Sequence, residues 1–106
     1  MMWRNPPKIQ SNDCGPQVIV ITVQYRLGPF GFLFLGGGSE EGVANAGLED
    51  VGAALRWVRG NARAFGGDPD NVTLMGEDSG AASASIHILS PQSKGLFHKV
   101  SGTFIN

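Results

Sequence analysis

One stretch constrains this chain more than any other: Asn71-Val72-Thr73-Leu74-Met75-Gly76-Glu77-Asp78-Ser79-Gly80, followed at once by an Ala-rich run. Val72 to Met75 reads as a short apolar strand, Gly76 and Gly80 bracket a tight turn, and Ala81 to Leu89 reads as a helix. Strand, sharp turn between small residues, then helix is the layout of a nucleophile elbow, whose usual pattern is G-x-S-x-G. The turn needs small flanking residues because its central residue sits in a strained backbone conformation. That residue's side chain then projects above the sheet, beside the helix N-terminus. Here the central residue is Asp78, and Ser79 stands one place late. The geometry of a catalytic turn is written into the chain without the expected nucleophile.

The rest of the chain supplies a scaffold of alternating strands and helices. Met1 to Gln17 carries Pro, Asn, Ser, Asp and Gly without periodicity and reads as an irregular lead-in. Val18 to Tyr25 is a near-continuous β-branched run, the pattern of a strand covered on both faces as in a parallel sheet. Arg26 to Leu33 turns the chain out of that strand, and Gly36 to Gly42 is a glycine-rich loop. No lysine or helix start closely follows the glycine triplet, so phosphate binding there has little support. Asn45 is placed to cap a helix running to about Ala64, with Leu48, Val51, Leu55, Val58 and Ala62 on one face. Glu49 and Asp50 fall early in this helix and Arg59 and Arg63 late, which complements its dipole. Gly66-Gly67 ends it, and Asp68-Pro69-Asp70-Asn71 turns into the elbow strand. After the elbow helix, Ser90-Pro91 breaks the pattern and His98 to Gly102 begins another strand. The order implies an α/β fold with a parallel sheet. Its apolar strands call for neighbours beyond these three, so a part of a larger domain is expected.

Composition excludes several classes of function. A formal net charge of −1, with Lys and Arg scattered, gives no electrostatic basis for nucleic-acid binding. Cys14 is the only cysteine, which excludes an internal disulfide and a cysteine-based zinc cluster. No cofactor or metal site is indicated. The N-terminal residues lack the apolar stretch of a signal peptide, and no apolar run approaches the roughly 20 residues that span a bilayer.

The blocks Tyr25-Arg26-Leu27-Gly28-Pro29-Phe30-Gly31-Phe32-Leu33, Asn45-Ala46-Gly47-Leu48-Glu49-Asp50 and Ala54-Leu55-Arg56-Trp57-Val58 resemble the type-B carboxylesterase and cholinesterase family. The most specific block is Ala64-Phe65-Gly66-Gly67-Asp68-Pro69-Asp70-Asn71-Val72-Thr73, which runs directly into the elbow. Leu89-Ser90-Pro91 and Ser93-Lys94-Gly95-Leu96-Phe97-His98 resemble the segment after the elbow helix. The resemblance covers Val18 to the C-terminus, with all blocks in family order. It implies a partial α/β-hydrolase domain over residues 18–106, and a family whose members are several times longer. Those members include active esterases and adhesion proteins (neuroligins, glutactin, gliotactin) that have lost the catalytic serine. Active members carry a glycine-rich oxyanion loop upstream and an acid and a histidine downstream. By this resemblance the partner is another protein met through an adhesion surface, or a small ester where the protein is active. The family context is secreted or cell-surface. The final strand, Lys99 to Thr103, is about three residues shorter than the family's, and residues up to Gln17 do not match the oxyanion-loop region.

Asp78 stands where the family has Ser, and a lost nucleophile is the simplest reading. Two others compete with it. Asp78 can itself attack, as resembling dehalogenases and epoxide hydrolases do, given a base and an oxyanion hole; or Ser79 can serve as a displaced nucleophile. Against the latter, a residue one step past the elbow turns into the helix start, where Ser is a common N-terminal residue. An aspartate there also has a non-chemical use, because a carboxylate at a helix N-terminus meets the positive end of the dipole. His87 and His98 are the only available bases, and neither matches the family's catalytic histidine. Both are expected to be structural, since a triad is defined by geometry. Arg26 and Asp50 match positions that pair in the family as an internal salt bridge. Asn71-Val72-Thr73 fits a glycosylation sequon but opens a strand expected to be buried. Trp57, Phe30 and Phe32 are expected in the core, the two phenylalanines retaining a gorge-lining alternative.

Overall fold

The computed structural model describes residues 2–4, 18–34 and 44–103. The glycine-rich loop at 36–42, most of the lead-in and Cys14 lie outside the described residues. Four strands form one sheet in the order β2-β1-β3-β4: β1 is Met2–Arg4, β2 Val18–Val20, β3 Val72–Glu77 and β4 Lys99–Thr103. Among the described residues three helices accompany them: α1 Gly28–Phe32, α2 Ala46–Asn61 and α3 Ser79–Leu89. A 3₁₀ segment, Ala62–Phe65, extends α2, and a second, Pro91–Ser93, follows α3.

The parallel character expected from the strand-helix-strand order is found at β3 and β4, which pair in parallel from Thr73↔Lys99 to Glu77↔Thr103. β1 pairs antiparallel with both β2 and β3. It therefore sits between two strands that run the same way. Met2–Arg4 falls within the stretch expected to be irregular; three residues ahead of Asn5-Pro6-Pro7 carry no periodicity from which a strand can be read. The run from Val18 to Tyr25 also departs from expectation. Only Val18–Val20 pairs as strand, and Ile19, Ile21, Val23 and Tyr25 are half-buried while their alternate neighbours are exposed. Among the described residues, one face of this run is covered rather than two.

The α2 stripe packs as its spacing demands. Val51, Leu55, Val58 and Ala62 are all buried, with Leu48 at the margin. Val51 and Leu55 join Leu74, Ala84 and Leu96 in one core cluster, against which Tyr25 and Val100 lean. Val58 and Ala62 join Val72 in a second, with Ile19 and Ile21 against it. α2 and α3 thus pack on one face of β3, and its inward residues Val72 and Leu74 hold the elbow's approach fixed. Asn45 precedes α2 in a left-handed conformation (φ 62) and makes no side-chain cap, contrary to its expected capping role. Trp57 and Phe30, expected in the core, are 51% and 85% exposed; Trp57 instead meets Phe65 at 6.0 Å between ring centres. Phe32 is also exposed.

Candidate functional site

β3 delivers the chain to Asp78 with φ 52 and ψ −116, a combination that an L-residue adopts only under constraint. The constraint is visible in the bonding. The Asp78 N–H donates to the Thr103 carbonyl at 2.8 Å, extending the β3–β4 ladder by one step. The Asp78 carbonyl accepts from the Ala82 N–H at 3.0 Å, the first intrahelical bond of α3. One residue therefore ends a strand and starts a helix, with no spacer between them. Asp78 is exposed, and its side chain makes no hydrogen bond to the helix N-terminus, so the capping role open to it by sequence is not taken up.

Close packing makes the reversal possible. A Cβ on Gly76 would lie 2.2 Å from the Gly80 carbonyl oxygen and 2.6 Å from the Ala81 nitrogen, so strand and helix touch backbone to backbone there. On β4, a Cβ on Gly102 would come within 3.1 Å of the Ala81 Cβ. Gly80 behaves differently: a Cβ there meets nothing within 4 Å. The two glycines of the motif are therefore not equivalent, and only Gly76 is required by contact among the described residues. Ser79 is the first residue of α3 and exposed. It borders an apolar cleft of about 400 Å³ whose walls include Tyr25, Phe32, Leu48 and Ile86.

Neither histidine is near this apex. His87 lies nine residues along α3, roughly 13 Å at 1.5 Å per residue. It is 5% exposed, and its Nδ1 is hydrogen-bonded to the Ser93 hydroxyl at 2.7 Å. Burial pushes its pKa down. His98 sits beside the opposite end of β3, where its N–H donates to the Val72 carbonyl at 2.8 Å and its Nδ1 accepts the Val72 N–H at 3.3 Å. Arg26 and Asp50 are joined by a two-pronged pair, Nη2 to Oδ1 at 2.6 Å and Nε to Oδ2 at 2.8 Å, with the Arg26 N–H adding a third bond. Those bonds hold the Asp50 carboxyl down at about 2. They tie the segment leaving the Val18–Tyr25 run to the second turn of α2. The Asn71 side chain accepts a hydrogen bond from Lys99 at 3.0 Å, and the neighbouring Val72 is fully buried. Among the described residues, no cluster of His, Cys, Asp or Glu is arranged to hold a metal ion, and no helix is long and apolar enough to cross a membrane.

This strand, apex and helix recur in proteins of known structure. Two para-nitrobenzyl esterase structures superpose with a TM-score of 0.67, one of them a thermophilic enzyme, at 55% and 54% identity over 72% of this chain and 16% of theirs. These neighbours have the α/β-hydrolase fold, of which this chain carries a part. In sequence, the chain is 55% identical over 83 residues to the para-nitrobenzyl esterase of Bacillus subtilis (strain 168), covering 78% of this chain and 17% of that protein. It is 53% identical over 83 residues to the acetylcholinesterase of Gallus gallus, covering 78% of this chain and 11% of that one. The chain thus spans less than a fifth of the length of these relatives. Residues 6–105 match the carboxylesterase family throughout, and the chain belongs to that family.

Proposed function

We propose that this chain carries the elbow region of a carboxylesterase-type domain, residues 18–106, from which serine-esterase chemistry has been lost. On this reading the domain acts by recognition, as the family's adhesion members do, with another protein as partner. The observation that supports it is Asp78 at the apex, in the strained conformation that the elbow reserves for its presented residue. Ser79 is already the first helical residue, so its backbone N–H, rather than its hydroxyl, has the geometry to face an incoming oxyanion. An aspartate attacking an ester would still need a base to complete turnover, and His87 and His98 are both engaged elsewhere. Arg26 and Asp50 serve as scaffold, fixing the loop ahead of α2.

The names of the relatives support a second reading: a carboxylic-ester hydrolase acting on small esters, with Ser79 as a displaced nucleophile. The two readings part in one experiment, treatment of the chain with a fluorophosphonate that labels activated serines. No labelling is expected, and Asp78→Ser alone is expected to add no saturable ester hydrolysis. Stoichiometric labelling lost on Ser79→Ala would establish the hydrolase reading instead.

A further inference from the structure

Toward the far end of α3 from the apex, the buried His87 ring faces a second cleft, of about 420 Å³, between α2, α3 and the Pro91–Ser93 turn. Its Nδ1 is satisfied by Ser93, but its Nε2 is buried and has no hydrogen-bond partner. The Leu48 carbonyl lies close enough to favour the charged ring, without completing a bond to Nε2. A buried imidazole nitrogen left unpaired has given up its bond to water for nothing, and a ligand that supplies a partner recovers it.

A cation shares the cleft. Arg56 lines it from α2 and makes no ion pair or hydrogen bond with another described residue. Gly52 brings the two groups together: a Cβ there would stand 3.4 Å from a guanidinium nitrogen of Arg56 and 3.8 Å from Cε1 of His87. The bare glycine leaves room for guanidinium and imidazole to lie side by side over the α2 backbone. Asn45, Ser90 and Gln92 add neutral polar groups to the rim, and among the described residues Glu49 is the one acid that lines the cleft.

We infer that this cleft is a binding site for a small carboxylate, held by the Arg56 guanidinium and hydrogen-bonded by His87 Nε2. The planar fork of an arginine matches the two oxygens of a carboxylate. Binding requires the tautomer in which the Ser93 hydroxyl donates to Nδ1 and the proton stands on Nε2. The two groups come from different helices, so the ligand bridges α2 and α3. The Glu49 carboxylate opposes this binding and holds it to modest strength.

The test is a titration of the 106-residue chain with acetate and benzoate, following the His87 ring nitrogens by long-range proton–nitrogen NMR. Saturable shifts of the His87 Nε2 resonance are expected with both acids, and none with methyl acetate, which keeps the acetyl group without the charge. Arg56→Gln changes an exposed side chain and should weaken binding at least tenfold, because a charge-assisted bidentate pair is lost. Glu49→Gln should tighten binding severalfold. Absence of a saturable shift, or equal affinity in the wild type and Arg56→Gln, overturns the inference; so does methyl acetate binding as well as acetate.

Discussion

Asp78 holds a backbone conformation that costs an L-residue on the order of 1–3 kcal/mol and glycine far less. Its side chain contributes no capping bond that would offset the cost. Asp78→Gly should therefore raise stability by about 1 kcal/mol, visible as a higher denaturant midpoint with unchanged slope. A fall in the midpoint would mean that the carboxylate stabilises the turn after all. Gly76 gives the opposite result. Any side chain there drives into the Gly80 carbonyl, so Gly76→Ala should destabilise by more than about 3 kcal/mol and abolish a cooperative melt. Gly80→Ala meets open space and should cost less than about 1 kcal/mol, within helix-start preferences. The spacing G-x-D-x-G marks both glycines alike in the sequence. Only the approach of the α3 backbone, a contact in three dimensions, separates them.

Among the elements, what the sequence revealed follows how local each signal is. α2, α3, β3 and β4 lie within a few residues of their expected spans, because apolar spacing, glycine stops and the Asp-Pro turn act over short distances. β1 depends on pairing with chain sixteen residues onward and with β3 far beyond, and nothing in Met2–Arg4 itself records those partners. α1 is a single turn, Gly-Pro-Phe-Gly-Phe, too short to show a helical period. The elbow was legible for the same reason as α3, whereas the His87 cleft is built from two helices and has no sequence signature. The contacts between elements also set the pH response. Asp50 has its pKa lowered from 3.8 to about 2 by Arg26, so the stability it contributes is complete above 3.8 and is lost as pH falls through about 2. Acid titration of the melt should show this loss in the wild type and not in Asp50→Asn. His87 acts at higher pH with the same sign. Its depressed pKa means that the unfolded chain binds a proton first as pH falls below 6.5, so stability declines from there toward the folded value. His87→Gln should flatten that decline, and a wild-type stability that rises between pH 7.5 and 5.5 would contradict the burial of a neutral ring.

At the scale of the molecule, the described residues put much apolar surface in contact with water. Leu55, Val58 and Val72 are the largest fully buried side chains, while Phe30, Leu89, Phe34 and Phe65 are 85%, 84%, 72% and 62% exposed. β4 also stands at the end of the sheet, with five residues whose outer backbone groups face no described strand. Exposed apolar side chains and an unpaired strand edge favour association with whatever surface is offered. The relatives, of which this chain spans 17% and 11%, place the same elements within far longer chains. The 106-residue chain should accordingly self-associate in solution, with a sedimentation coefficient that rises between roughly 10 and 500 μM. The double variant Phe30→Ser, Leu89→Ser removes two of the most exposed apolar groups without touching either core cluster, and should shift that rise to higher concentration. Ser101→Lys would separate the two causes. A charged side chain on an edge strand opposes the docking of a further strand while leaving the β3–β4 ladder and the apolar side chains elsewhere unchanged, so association driven by the edge should weaken and association driven by the side chains should persist. A single sedimentation coefficient across the whole range would mean that neither surface drives contact.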